Sequence, residues 1–259
     1  MRHGVNILNQ GLTLVDAVAL LVAGLLAGLV NAIVGSGSLL TFPTLLAIGY
    51  PPVVANVTNT VGLVLGNISG VVGYRRELAG QRGRILGLAG FAIAGGLIGA
   101  ILLLALPQSV FRRVVPVLIV IAVVLVLLQP RLTALLSRYR GRSGSTWALR
   151  GAVTATSVYG GYFGAAMGVI YIAIFSVLVE DDLQRMNALK NVISSIVNGV
   201  AAVVFVFFAH IEWPAVALLS VSGLVGGQLG AVIGRRLPDG VLRIAIVIAG
   251  VAAVIKLLL

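Results

Sequence analysis

Long apolar stretches recur along almost the whole chain and constrain its fold more than any other feature. Most runs are close to the ~20 residues that cross ~30 Å of hydrocarbon as a helix, and the runs extend from Leu12 to the last residue. Hydrophobic residues make up 59% of the chain and charged residues 10%, too few polar side chains to cover a soluble surface. The sequence therefore predicts an all-α polytopic membrane protein.

Polar breaks divide the apolar runs into two sets of about five candidate helices. The first set covers about 14 to 34, 37 to 49, 53 to 73, 85 to 105 and 110 to 128. The second covers about 148 to 162, 164 to 179, 187 to 209, 215 to 235 and 240 to 258. The segments 37 to 49, 148 to 162 and 164 to 179 are short for a span, so we expect re-entrant or broken helices there.

Arginines in the loops indicate the orientation in the membrane. The loop from Gln129 to Arg150 contains arginines and no acidic residue, and the loop after residue 74 is also basic. Both loops are expected to be cytoplasmic by the positive-inside rule, and the connection from His210 to Pro214 external. This orientation places both termini outside, but it conflicts with Arg112 and Arg113, which would then also lie outside.

The two halves of the chain are weakly similar to each other, which indicates a duplication. An offset of 133 residues aligns Gly35 with Gly168, and an offset of 131 aligns Asn56 with Asn187 and Asn67 with Asn198. Because each half has an odd number of segments, the second should be inverted relative to the first, which places a substrate site near the midplane between them. We predict a first repeat at residues 1–130, a basic cytoplasmic linker at 131–147 and a second repeat at 148–259.

A glycine and serine run, Gly35-Ser36-Gly37-Ser38, interrupts the first apolar region. The glycines permit backbone torsions closed to other residues, and the serines can cap a helix. A helix that restarts here would direct its N-terminal N–H groups into the protein, where they attract an anion. Close helix packing by small residues is the alternative explanation.

Two polar stripes lie on otherwise apolar helices. Asn56, Asn59 or Thr60, and Asn67 share one helical face, and Asn187, Lys190 or Asn191, Ser194 and Asn198 repeat this spacing. Lipid cannot satisfy these groups, so they face protein or water, either as interhelical hydrogen bonds or as the lining of a shared cavity. Lys190 is expected either to extend to the cytoplasmic interface as an anchor or to place a positive charge at the cavity mouth.

Acidic residues occur only at or near the predicted helix ends, and cysteine is absent. A cation pump usually needs a carboxylate within the membrane, so an anionic or neutral substrate is favoured. We expect no enzyme, because no buried histidine, cysteine or carboxylate cluster is available for acid–base or metal chemistry. We also expect no cofactor, no metal and no nucleic-acid partner, although the net charge is +11, because the arginines lie in short loops.

The stretches "AGLVNAIVGSGSLLTFPTLL" and "ANVTNTVGLVLGNISGVVGYRREL" resemble the TauE/SafE family of sulfite exporters and toluene-sulfonate uptake permeases. The resemblance extends over nearly the whole chain, including "GGQLGAVIGRRLPDGVLRIAIVIAG" near its end. It implies a secondary transporter of sulfite, sulfonates or related organosulfur oxyanions in the plasma (inner) membrane of a prokaryote. The family's glycine run is interrupted here by two serines, and the second copy, "GAAMGVIY", retains only Gly164 and Gly168.

The sequence thus predicts an alternating-access carrier with a small anion and the lipid bilayer as its partners. A passive anion channel and an accessory membrane subunit without transport activity are the alternatives, and we leave open whether the chain forms a homodimer. The candidate substrate-binding residues come from the glycine and serine run, the two stripes and the second break: Gly35, Ser36, Gly37, Ser38, Asn56, Thr58, Asn59, Asn67, Gly168, Asn187, Lys190, Asn191, Ser194 and Asn198.

Overall fold

A computed structural model describes residues 12–136 and 145–233, together with residues 248, 254 and 255. Over these ranges the regular structure is entirely α-helical, as predicted. Residues 137–144 of the predicted linker lie outside the described residues, as does the predicted segment 240 to 258 apart from residues 248, 254 and 255, whereas residues 131–136 of that linker are helical. The helices are α1 (Leu14–Ile33), α2 (Ser38–Ile48), α3 (Pro52–Gly62), α4 (Val64–Gly73), α5 (Arg82–Ala105), α6 (Gln108–Leu136), α7 (Thr146–Tyr162), α8 (Met167–Leu178), α9 (Leu183–Phe208) and α10 (Trp213–Ile233).

Within the described ranges, five helices are long and apolar enough to cross a membrane: α1, α5, α6, α9 and α10. The outward faces of these helices carry large exposed hydrophobic side chains, such as Val117 on α6 and Val203 on α9. Such surfaces are stable in lipid but not in water. The prediction of a polytopic helical membrane protein is therefore confirmed, and α2 and α8 are short, as expected.

The predicted helix at 53 to 73 is wrong in one respect, because the structure divides it into α3 and α4 at Leu63. The hydroxyl of Ser220 on α10 donates a hydrogen bond to the carbonyl of Gly62 at 3.0 Å. That carbonyl is thereby directed towards α10, while the Leu219 side chain packs against Gly62 so closely that a Cβ there would lie 2.9 Å from it. A contact with a distant helix therefore interrupts a segment that its own sequence favours as continuous.

Close glycine contacts hold α1 against α10 and α5 against α7. A Cβ added at Gly28 on α1 would lie 2.2 Å from the carbonyl oxygen of Gly223 and 2.8 Å from the amide nitrogen of Gly227. On the other pair, a Cβ at Gly161 would lie 2.2 Å from the carbonyl oxygen of Gly96. Backbones can approach this closely only where both helices present small residues. These contacts hold α1 and α7 in place near their last residues, after which the chain leaves the helical conformation.

Candidate functional site

Two chain breaks meet in the interior of the helix bundle. The first chain break, residues 34–37, joins α1 to α2, and the second chain break, residues 163–166, joins α7 to α8. Gly35 and Gly164 have φ values of +83° and +75°, in the left-handed region that glycine adopts most readily. The amide of Gly168 donates a hydrogen bond to the carbonyl of Gly35 at 3.1 Å, and a Cβ on Gly35 would lie 2.5 Å from the Gly168 Cα. The two breaks are therefore in direct backbone contact.

A cavity lies beside this contact, and about 380 Å³ of space, part of it open to solvent, lies between its walls. Six of the predicted site residues line it: Gly35, Ser38, Asn67, Asn191, Ser194 and Asn198. The other residues of the lining are Asn31, Ala32, Gly66, Gly70, Gly164 and Met167. The remaining predicted residues are not part of the lining, and the contacts below show where they lie: Ser36, Gly37, Asn56, Thr58, Asn59, Gly168, Asn187 and Lys190.

Asn31, near the end of α1, connects the first chain break to the polar stripe of α4. Its Oδ1 accepts the amide of Gly37 at 2.6 Å, and its Nδ2 donates to Asn67 Oδ1 at 3.0 Å. The side-chain amide of Asn67 is thereby oriented with its Nδ2, which is buried, lacking a partner in the described part of the chain. Asn31 was not among the predicted site residues, although an asparagine in an apolar helix, four residues before Gly35, could have indicated its role.

Lys190 is completely buried in α9, so it does not extend to an interface as an anchor. Its Nζ donates to the carbonyl oxygens at the end of α1: those of Asn31 at 3.2 Å, Ala32 at 3.4 Å and Ile33 at 3.4 Å. The last carbonyls of a helix have no partner within the helix and form the negative end of its dipole. These carbonyls therefore stabilise a cation, and two of the residues that supply them also line the cavity.

The asparagines of the two stripes bind to the helix end of the opposite half. Asn187 and Asn191 both donate from Nδ2 to the carbonyl of Ala32 at 3.2 Å. In the other direction, Asn56 Nδ2 donates to the carbonyl of Tyr162, the last residue of α7, at 3.0 Å. Asn191 also lines the cavity, together with Ser194 and Asn198, which follow it on the α9 stripe.

Ser38 is the first residue of α2 and belongs to a chain of buried polar groups. Asn59 Nδ2 donates to Ser38 Oγ at 3.2 Å, and the hydroxyl of Thr41 donates to Asn59 Oδ1. Asn59 and Thr41 are buried and Ser38 is partly exposed at the cavity. Thr58, by contrast, lies away from the cavity, where its hydroxyl accepts the amide of Glu212 at 3.2 Å.

Ser36 and Ser194 each have a buried hydroxyl for which the described residues offer no hydrogen-bond partner. Ser194 and Asn67, with their unpartnered hydroxyl and amide groups, both line the cavity, as does Ser38. Buried polar groups without partners are rare in native proteins. The lining thus offers hydrogen-bond donors to a ligand, contains no acidic side chain among its described residues, and lies next to the buried amine of Lys190, an arrangement suited to an anion.

An ion-pair cluster holds the start of α9 against the start of α5. Asp181 accepts from Arg84 at 2.7 Å and from Arg185 at 2.6 Å, and Arg185 also donates to the carbonyl of Ala79 at 3.0 Å. Burial by itself raises the pKa of Asp181, but the hydrogen bonds from the two arginines outweigh it and hold that pKa below its usual range. In this way the α4–α5 loop is linked to the helix that carries Lys190.

The helical fold and the enclosed polar cavity define a polytopic membrane protein that can hold a small polar solute between its helices. The sequence matches the family described as "Sulfite exporter TauE/SafE" over residues 20–257. The chain belongs to this family of membrane transporters, and the resemblance noted in the sequence is confirmed.

Relatives from three bacteria support the same assignment. The chain is 30% identical to "Probable membrane transporter protein YfcA" of Escherichia coli (strain K12) over 82% of this chain and 77% of the relative. It is 25% identical to "Probable membrane transporter protein ORF9" of Sinorhizobium sp over 92% and 91%, respectively. A "Probable membrane transporter protein" of Haemophilus influenzae is 26% identical over 84% and 85%. The expectation of a transporter rather than an enzyme agrees with these names.

Proposed function

We propose that the protein is a secondary transporter that moves a small anion, such as sulfite, a sulfonate or a related organosulfur oxyanion, by alternating access. Its membrane is the plasma (inner) membrane of a prokaryote. The substrate binds in the cavity beside the two chain breaks. One observation carries the proposal: the cavity combines unpartnered hydrogen-bond donors with the neighbouring buried lysine, Lys190, and its described lining has no carboxylate.

Lys190 is the source of the positive potential in this proposal. Its ammonium group donates hydrogen bonds to the carbonyls of Asn31 and Ala32. Because these two residues line the cavity, the charge lies directly behind the cavity wall. In a low-dielectric interior, a charge at this range acts strongly on a bound anion. Ser38, Asn67 and Ser194 supply the donors that contact the substrate oxygens, as uncharged groups that do not hold an anion too tightly to release it.

The proposed movement is a rocking of two inverted repeats, residues 1–130 and 148–259, joined by the basic linker 131–147. The contacts of α1 with α10 and of α7 with α5 support this proposal because they are equivalent under the offsets found in the sequence. Gly28 corresponds to Gly161, and Gly227, which Gly28 approaches, corresponds to Gly96, which Gly161 approaches. The two chain breaks then lie at the junction of the repeats.

The test is uptake of radiolabelled sulfite by the purified protein reconstituted in vesicles. Ser38→Ala, Asn59→Ala and Lys190→Ala should each reduce the flux by about tenfold or more without preventing membrane insertion. Ser176→Ala is the matched control for Ser38→Ala, because its buried hydroxyl donates only locally to the carbonyl of Ile172. Wild-type flux in all three site variants would refute the proposed site.

Counterflow distinguishes a carrier from a channel. Vesicles preloaded with unlabelled sulfite should transiently accumulate labelled sulfite above its equilibrium level if the protein is a carrier. A channel would equilibrate the label without an overshoot. Flux that does not exceed that of protein-free vesicles, for sulfite and for methanesulfonate, would contradict the proposed transport activity.

A further inference from the structure

A hydrogen-bonded chain of three side chains, Thr41, Asn59 and Ser38, runs from the protein interior to the cavity. Thr41 and Asn59 are buried to 0% and 1% exposure, and only Ser38 reaches the cavity lining. Thr41 and Ser38 belong to α2, whereas Asn59 belongs to α3, so the chain also joins the two helices that follow the first chain break. The cavity therefore encounters only the last member of the chain.

Two hydrogen-bond patterns are available to these three groups. In the first, the Thr41 hydroxyl donates to Asn59 Oδ1, Asn59 Nδ2 donates to Ser38 Oγ, and the Ser38 proton is left for a ligand. In the second, the Asn59 amide is rotated, the Ser38 proton is donated to Asn59 Oδ1, and Thr41 donates to the carbonyl of Gly37 instead. The hydroxyl of Ser38 then offers only a lone pair to the cavity.

The geometry favours the first pattern. Thr41 Oγ1 lies 3.5 Å from the carbonyl oxygen of Gly37, at the limit of a hydrogen bond, and much closer to Asn59 Oδ1. A threonine hydroxyl has a single proton, and a carbonyl at the limit of hydrogen-bond distance competes poorly for it. With Oδ1 occupied by Thr41, the amide presents Nδ2 to Ser38, and the Ser38 proton is free.

We propose that Thr41 is a positioning residue for anion recognition, because through Asn59 it fixes the Ser38 hydroxyl as a hydrogen-bond donor to the substrate anion. This inference rests on the proposed function and adds to it the residue that sets the polarity of the site. Thr41 touches no substrate. Its effect reaches the anion only through the orientation of Asn59 and the proton of Ser38.

The experiment measures KM and Vmax for sulfite uptake in reconstituted vesicles. Thr41→Val keeps the shape of the side chain but removes the donor, so Asn59 Oδ1 captures the Ser38 proton and KM should rise about tenfold, with Vmax within about twofold. Thr41→Ser keeps the hydroxyl and should restore the wild-type KM. Thr44→Val is the matched control on the same helix, because Thr44 donates only to the carbonyl of Leu40, and its KM should stay at the wild-type value.

A double-mutant cycle tests whether Thr41 acts through Ser38. In a Ser38→Ala background, Thr41→Val should add little further increase in KM, because the proton that it controls is already absent. Asn59→Asp provides a second variant of equal size, since a carboxylate accepts the Ser38 proton regardless of Thr41, and its KM should also rise. Melting temperatures in detergent identify any variant that fails to fold, in which case the other variant carries the test.

Three results would overturn the inference. The first is a Thr41→Val variant with the same KM as Thr44→Val, and the second is an Asn59→Asp variant with the wild-type KM. The third is a Thr41→Ser variant as impaired as Thr41→Val, which would show that packing rather than the hydroxyl matters. If these occur while Lys190→Ala still reduces flux, the proposed function stands alone. A wild-type protein without sulfite or methanesulfonate transport overturns both.

Discussion

The first chain break and the second chain break each follow the end of a helix, and each contains a glycine in the left-handed region, Gly35 or Gly164. Each also precedes a short helix, α2 or α8, and the end of the helix before each break accepts a hydrogen bond from an asparagine of the other half of the chain. These shared features are what a backbone requires when it interrupts a helix inside an apolar protein, because the freed carbonyls need donors.

The two breaks differ in charge and polarity. At the first, the carbonyls that end α1 accept from the ammonium group of Lys190. At the second, the donors are uncharged: Asn56 to the carbonyl of Tyr162, and the Tyr159 hydroxyl to the carbonyl of Ala165 at 2.5 Å. The helices that follow repeat this contrast, since α2 begins with Ser38 and α8 with Met167, and both residues line the cavity.

This contrast indicates that two chain breaks of similar backbone geometry present different side chains to the cavity. The same backbone construction supplies a polar, electropositive wall at the first break and an apolar wall at the second. We infer that the anionic group of a substrate binds at the first break, while Met167 at the second contacts the rest of the molecule.

The largest effect is expected when the hydrogen-bond donor at the end of α1 and the donor at the end of α7 are removed in two separate variants. Lys190→Met should raise KM for sulfite about 100-fold or more, because it removes a buried charge next to the anion. Asn56→Leu removes the corresponding donor at the end of α7, and it should lower the melting temperature while leaving KM within about threefold. Equal effects of the two variants on KM in vesicle uptake would contradict the division.

Adding a side-chain carbon at the contact between the two breaks should destabilise the protein. Gly35→Ala is expected to lower the free energy of unfolding by about 2–4 kcal/mol, from overpacking against Gly168 and from a left-handed alanine. Gly168→Ala fills the same space from the other side and should also be destabilised. Gly199→Ala on α9 is the control, because a Cβ there meets nothing within 4 Å. Thermal unfolding in detergent measures the difference, and equal stability of all three variants would refute the contact.

A smaller difference is expected between two hydroxyl-bearing residues, one on each of the short helices α2 and α8. Tyr171 on α8 corresponds to Ser38 under the offset of 133, but its hydroxyl is paired with Ser157 at 2.7 Å. Tyr171→Phe should therefore leave KM for sulfite within about twofold, whereas Ser38→Ala should raise it about tenfold. A strong effect of Tyr171→Phe on KM would indicate that the second break also contacts the anion.

The smallest effect concerns the start of α9, where Asp181 forms ion pairs with Arg84 and Arg185. Because the pKa of Asp181 is lowered in the folded protein, its contribution to stability is present above the unfolded value of about 3.9 and is lost as the pH falls below it. Asp181→Asn should lower the melting temperature slightly at pH 6, with the difference from wild type shrinking towards pH 3. A difference that does not change with pH would show that the ion pairs contribute nothing.

Much of the fold followed from local patterns, but the interruption at Leu63 did not. Runs of apolar residues predicted the long helices because the thickness of a bilayer fixes the length of a span. The separation of α3 from α4 depends on Ser220 and Leu219, which approach Gly62 from a helix more than 150 residues away in the chain. No periodicity within residues 53 to 73 contains that information.

Only part of the candidate site could be predicted, because some of its residues come together only through contacts between distant helices. Glycine and serine at the first chain break and the asparagine stripes identified Ser38, Asn67 and Asn191, which line the cavity. Asn31 and Met167 were missed because their place in the lining depends on how the two breaks pack together. The residues of the stripe on α9 were expected to form one surface, but some of them bind the end of α1 and others line the cavity.

The sequence by itself determined that the protein is a helical membrane protein, that its first long helix is interrupted at Gly35, and that no acidic residue lies in the middle of a predicted span. These properties follow from hydrophobic length, backbone freedom and the cost of a charge in lipid. Only the tertiary structure decided that Lys190 stabilises the end of α1 while Ser194 faces the cavity. The physical reason is that a buried donor binds whichever unsatisfied carbonyl the fold brings to it, and here that carbonyl belongs to a helix end 155 to 159 residues distant.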